Sequence, residues 1–132
     1  MNKSFLLDQK ILLEYLHGSN ATLDPLFNSF ERGDVELFCS AASEYELLGY
    51  PKLETDEETA IVSLLESISV IPLDRHILKV AALLRRQYKR TPIDLFIAAT
   101  ALSMEVPLIT RNVRDFRIIR GLEVIGDPSA VV

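Results

Sequence analysis

Short β-rich runs alternate with stretches of helical periodicity along the whole chain, and that alternation leaves few folds open. Residues 4–7, 36–39, 70–73 and 107–110 read as strands, and 123–125 as a weaker edge strand. Between them lie helical patterns at 11–16, 25–32, around Tyr45 to Leu48, and at 55–67, 75–88 and 92–104. Start signals accompany several of these: Ser40 or Ser43 can cap the third helix, Thr55-Asp56-Glu57-Glu58 reads as a capping box, and Asp74 and Thr91-Pro92 open the last two. Strands separated by helices imply a mainly parallel sheet joined by right-handed crossovers. The expected architecture is therefore α/β, a single domain spanning 1–132 with a central sheet of four to five strands. A chain of this length buries roughly two thirds of its unfolded surface, enough for one core.

Charge and cysteine usage narrow the function. The net charge is −5, but residues 1–66 carry four basic and thirteen acidic side chains while residues 67–132 carry ten and six. The halves thus stand at −9 and +4, so a phosphate backbone has an Arg-rich side to meet, whereas tight nonspecific DNA binding is not expected. The longest charge-free stretches, such as 95–104, are too short to cross a bilayer, and two leucines followed by Asp8 make no signal-peptide core. A cytoplasmic protein without a membrane partner is expected. The lone Cys39 excludes an intrachain disulfide and reads as a buried thiol.

Four acids stand apart from the rest. In parallel sheets the ligand site lies beyond the carboxyl ends of the strands. Asp8 follows the first strand, Asp115 lies just past the fourth, Asp94 falls in the first turn of a helix, and Glu46 can reach the site from a helix face. Four carboxylates in a partly desolvated cleft repel one another by several kcal/mol unless a cation balances them, which points to Mg²⁺ or Mn²⁺. Glu57, Glu58 and Glu66 fit a solvated helix face. His17 and His76 lack partners at metal or triad spacing, and Ser40 and Ser43 lack a nucleophile elbow.

Four motifs carry a resemblance: Phe5-Leu6-Leu7-Asp8, the run Ser43 to Pro51, the run Pro92 to Leu102, and Leu108 to Phe116. In this order they resemble the PIN-domain ribonucleases, and most closely the VapC-type toxins of toxin–antitoxin pairs. The resemblance implies a three-layer α/β/α fold and a metal-dependent endoribonuclease. Asp8, Glu46, Asp94 and Asp115 match the acidic, catalytic metal-binding positions, with Mg²⁺ or Mn²⁺ as cofactor. Asn112 matches a nearby polar position, Asn112 or Thr110 would hold the metal ligands in place, and Arg111, Arg114 and Arg117, with Arg120 beyond, are the nearest candidates for RNA contact. Arg85, Arg86, Lys89 and Arg90 form a second basic group. The implied partners are an RNA substrate, a short antitoxin protein and a second copy of the chain as a homodimer. The apolar stripe of Leu12, Leu13, Leu16, Leu47, Leu48 and Tyr50 reads as core or as partner-facing.

One departure separates two readings. Relatives follow the first Asp with a short polar pair, where this chain has Gln9 and Lys10. If the Lys10 ammonium reaches the acids, it replaces part of the metal's charge, and the chain is then a weakened or silent module that binds antitoxin or RNA. If it points outward, the site works as a ribonuclease.

Overall fold

The computed structural model describes residues 3–132. β1 (Lys3–Leu7), β2 (Val35–Ser40), β3 (Ser69–Ile71), β4 (Leu108–Ile109) and β5 (Val124–Ile125) form one sheet in the order β3-β2-β1-β4-β5. Every pairing is parallel, with Leu7 opposite Cys39 on one side and Ile109 on the other. The helices are α1 (Gln9–Leu16), α2 (Asp24–Glu31), α3 (Ala41–Leu48), α4 (Thr55–Ser67), α5 (Arg75–Gln87), α6 (Pro92–Met104) and the short α7 (Val113–Phe116).

The two-residue period of a strand sorts the core into two layers. Phe5 and Leu7 of β1, Val35, Leu37 and Cys39 of β2, and Ile109 of β4 pack with α1, α2 and α4. Their neighbours Leu6, Phe38 and Leu108 face the other way, against α5, α6 and the Phe116–Ile119 segment. Because helices cover both faces, Phe5, Leu6 and Leu7 are all buried, the continuous apolar run typical of a strand in a parallel sheet. α6 is hydrophobic nearly all round, and Leu95, Ile97, Ala98, Ala99 and Ala101 are all buried. Its small residues let it lie close to α5 and the sheet.

The strand order has a functional consequence. From β1 the chain winds outward through β2 to β3, then returns to β1's other side for β4 and β5. The connections therefore part between β1 and β4, and the crevice beyond their carboxyl ends is where such sheets bind ligands.

Local differences from expectation have local causes. β3 ends at Ile71 rather than residue 73, since Pro72 has no N–H to offer the ladder. α4 is capped by Glu54, one residue earlier than expected: the Glu57 carboxylate accepts from the Glu54 N–H at 3.4 Å, and Thr55 is already helical. α7 and a 3₁₀ turn at Pro128–Val131 had no counterpart in the sequence pattern, being too short to show a period. Ser40 caps α3, accepting from Ala42 N–H at 3.0 Å, whereas Ser43 donates to Gln9 Oε1 at 3.3 Å and so ties α3 to α1. Of the apolar stripe, Leu12 and Leu47 are buried and Leu13 and Leu16 pack on the core, while Leu48 and Tyr50 are exposed. Cys39 is buried and its thiol is pushed up to about 12, by burial first and then by the charge of Glu44. Among the described residues no helix is long and apolar enough to cross a membrane.

Candidate functional site

Asp8 leaves the end of β1 directly into the crevice and serves as the N-cap of α1. It is only 4% exposed. Its Oδ1 accepts from the Lys10 backbone N–H at 3.0 Å, and its Oδ2 accepts from the Thr110 hydroxyl at 2.6 Å. Thr110 follows β4, is fully buried, and accepts in turn from the Asn112 N–H at 3.0 Å. Asp8 N–H donates to Ile109 O at 3.2 Å across the same gap. A relay of backbone and hydroxyl donors thus fixes the first carboxylate, with one strand end holding the other. Hydrogen bonds to a carboxylate are short and strong, and burial makes these hard to replace.

Asp94 enters from the opposite layer. Thr91 caps α6, its hydroxyl oxygen accepting from the Asp94 N–H at 3.2 Å, so the Asp94 carboxyl sits in the first helical turn. Its pKa is raised from the ordinary carboxylate value: burial is the largest cause, and the charges of Asp8 and Asp115 add to it. The Thr91 hydrogen bond and, most weakly, the Lys10 ammonium oppose the rise without cancelling it. Three aspartates from separate elements therefore share one electrostatic neighbourhood, and the charges there are out of balance.

Asp115 stands on α7, which buried Phe116 seats against the core. Arg90, from the α5–α6 connection, donates its Nε–H to the Asp115 carbonyl at 3.0 Å and steadies that short helix. Glu46 lies half-buried on α3 and is not among the charges that act on Asp94. Asn112 is half-buried at the N-cap of α7 and contributes its backbone N–H, its side chain making no capping bond. Among the described residues, no three His, Cys, Asp or Glu side chains are close enough to form a ready metal cage. What the site offers is hard oxygen donors whose like charges repel one another, the chemistry a Mg²⁺ or Mn²⁺ ion fits.

The basic residues divide. The Arg111 guanidinium donates to both oxygens of Glu14 at 3.0 and 3.1 Å, to Thr22 Oγ1 at 2.6 Å and to Gly126 O at 3.2 Å. It joins α1, the following loop and the C-terminal segment, a structural duty that the sequence pattern did not reveal. Arg114, Arg117 and Arg120 are exposed near Asp115. Lys10 is exposed, and its backbone rather than its ammonium makes the hydrogen bond to Asp8. Reasoning from sequence also missed Arg90 as the support of Asp115, because the two are 25 positions apart and only the folded chain joins them.

Comparison with known proteins agrees with this architecture. The sequence model of the PIN domain matches residues 5–122. A toxin–antitoxin complex from Klebsiella pneumoniae is similar at 27% identity and a TM-score of 0.70, over 91% of this chain and 94% of that one. VapBC2 from Rickettsia felis, bound to a DNA fragment from its promoter, superposes with a TM-score of 0.76 at 19% identity, covering 92% and 97%. DNA-bound VapBC from Salmonella typhimurium gives 0.76 at 20% identity, covering 95% and 98%. At those lower identities the likeness is one of fold. No curated protein matches the sequence.

Proposed function

The chain belongs to the PIN domain family, and from that premise we propose that it is a metal-dependent endoribonuclease, the toxin of a toxin–antitoxin pair acting in the cytoplasm. What supports this reading is that Asp8 closes β1 at the crevice between β1 and β4, and that its charge and that of Asp115 both raise the pKa of Asp94. Asp8, Asp94 and Asp115, joined by Glu46 from α3, would hold Mg²⁺ or Mn²⁺. Such an ion lowers the pKa of a bound water and stabilises the leaving oxygen of a phosphodiester.

The chain's own residues prepare that chemistry. Thr110 fixes one oxygen of Asp8, Thr91 fixes the start of α6 below Asp94, and Arg90 holds the turn that bears Asp115. Preorganised ligands need no rearrangement when substrate arrives. Arg114 and Arg117 are exposed beside Asp115 and suit the phosphates of an RNA strand. Since Arg111 is held by Glu14 and Thr22, substrate contact rests on the other two. A short antitoxin and a homodimer are proposed as partners. The likeness to toxin–antitoxin complexes supports the first, and exposed Tyr45, Leu48 and Tyr50 give the chain an apolar surface for a protein contact.

Lys10 favours a second reading. Its charge acts, as the weakest of the influences there, to lower the pKa of Asp94. A chain in which that charge weakens metal binding is a silent module that keeps its antitoxin or RNA contacts. Cleavage of a short RNA in Mn²⁺ by the parent, Asp94→Asn, Glu46→Gln and Lys10→Asn separates the two. Cutting by the parent that both acid variants abolish supports the nuclease; equal RNA loss in all of them marks contamination and removes it. Cutting that appears only in Lys10→Asn supports the silent module.

A further inference from the structure

The mechanism above leaves unused a cleft between two helices. It opens between α5 and α6 with a volume of about 720 Å³, floored by Ala81, Leu95 and Phe96 and rimmed by Arg85, Arg86 and Arg90. This is the size of a small-ligand pocket, about 300–1,000 Å³. On α6 it is lined by Pro92, Leu95 and Phe96, one face of the helix, while Asp94 projects from another. Arg90 at the rim is the same residue that binds the Asp115 carbonyl.

Basic residues at a helix C-terminus are ordinarily explained by the helix dipole. Two features go beyond that explanation here. Arg85 and Arg86 are exposed and have no carboxylate partner among the described residues, so both guanidiniums are open to an anion. They also share the cleft with apolar residues that include the partly exposed Phe96. Alanine at 81 and 82 keeps the slot beside that ring open. An apolar lining that includes an aromatic ring, beside paired cations, suits a stacked base with its flanking phosphates.

We propose that the α5–α6 cleft is a second RNA subsite, which takes one unpaired nucleobase against Phe96 while Arg85 and Arg86 hold the phosphates on either side of it. Resting on the nuclease reading above, it sets where along a single strand the acids cut. An acidic peptide could also meet the arginines, but Arg90 ties the rim of the cleft to the turn that bears Asp115, which favours the strand that those acids would cleave.

The test is fluorescence anisotropy of a short single-stranded RNA in EDTA, so that cleavage does not enter. The Arg85→Ala/Arg86→Ala double variant should bind about tenfold more weakly, with the salt slope reduced by about 1.4, two single-strand phosphate contacts. Ala82→Phe fills the slot and leaves the charges; it should weaken binding of the RNA but not of an abasic oligomer of equal length. Circular dichroism melts confirm that each variant is folded. Parent-level RNA affinity in both variants overturns the subsite, as does an equal loss of RNA and abasic oligomer in Ala82→Phe. So does a change of oligomeric mass in Ala82→Phe with RNA binding intact, which makes the cleft a protein interface, or displacement of a bound acidic peptide with no effect on RNA. Mn²⁺-dependent cutting at unchanged positions by the double variant removes the subsite and leaves the nuclease reading standing. Variant-sensitive RNA binding by a parent that never cuts removes the nuclease reading and keeps the cleft as an RNA site.

Discussion

Replacing Thr110 with valine tests whether the hydrogen-bonded relay at the strand ends carries the weight given to it. Valine keeps the β-branched shape of threonine and removes only the hydroxyl. The Asp8 carboxylate, 4% exposed, loses a 2.6 Å donor that no water can easily replace. A hydrogen bond to a charged group contributes about 1.5–3 kcal/mol, and the Asn112 N–H loses its acceptor in the same change, adding about 1 kcal/mol at a half-buried position. The expected loss is about 3 kcal/mol, equivalent to about 10 °C in Tm for a chain of this size. Thr110→Ser keeps the hydroxyl and removes one buried methyl, for about 1 kcal/mol. Urea unfolding followed by circular dichroism reads both, as a shift in midpoint at constant slope. If the valine variant is no less stable than the serine variant, the hydroxyl does not hold Asp8 and the reasoning fails.

Further outcomes follow from the same geometry. Asp94→Asn should make the metal-free chain more stable at neutral pH. The raised pKa means the folded chain holds its proton more tightly than the unfolded one, so parental stability falls as pH rises from the ordinary carboxylate value of 3.8 through the folded pKa, a fall absent from the variant. Thermal melts in EDTA across that range read the divergence, and parallel curves would contradict it. Gly49→Ala places a Cβ 2.8 Å from the Tyr45 carbonyl oxygen and should destabilise by about 1–3 kcal/mol, read by the urea midpoint. Arg111→Ala should lower stability by about 1 kcal/mol through its bidentate pair with Glu14, while leaving RNA affinity near the parent's. A large loss of RNA affinity with stability intact would return Arg111 to the substrate surface.

Much of this fold could be read from the chain because its signals are local. The strand ends at Asp8 and Thr110, the α6 start at Thr91-Pro92 and the cap at Asp74 all sit within a few residues of the features that produce them. Strand order was not visible, since nothing in β1 encodes that β4 rather than β3 becomes its second neighbour. The site followed the same division. Asp8 and Asp94 are placed by element ends, and the charges of Asp8 and Asp115 raise the pKa of Asp94. Glu46 depends on the facing of a helix across a tertiary contact, which periodicity leaves open, and the charges acting on Asp94 do not include it. Arg111 and Arg90 looked alike as surface cations, yet both are held by partners far away in sequence. The roles of long side chains are written in the packing rather than in the spacing.

If Asp8, Asp94 and Asp115 form one divalent-cation site, the chain must bind Mn²⁺ through all three. Isothermal titration of the purified chain with Mn²⁺, beside Asp8→Asn and Asp94→Asn, tests it most directly. Saturable binding by the parent is expected, and each substitution should abolish it or weaken it at least tenfold, a loss of about 1.4 kcal/mol or more. Parental binding that both variants retain unchanged would contradict it.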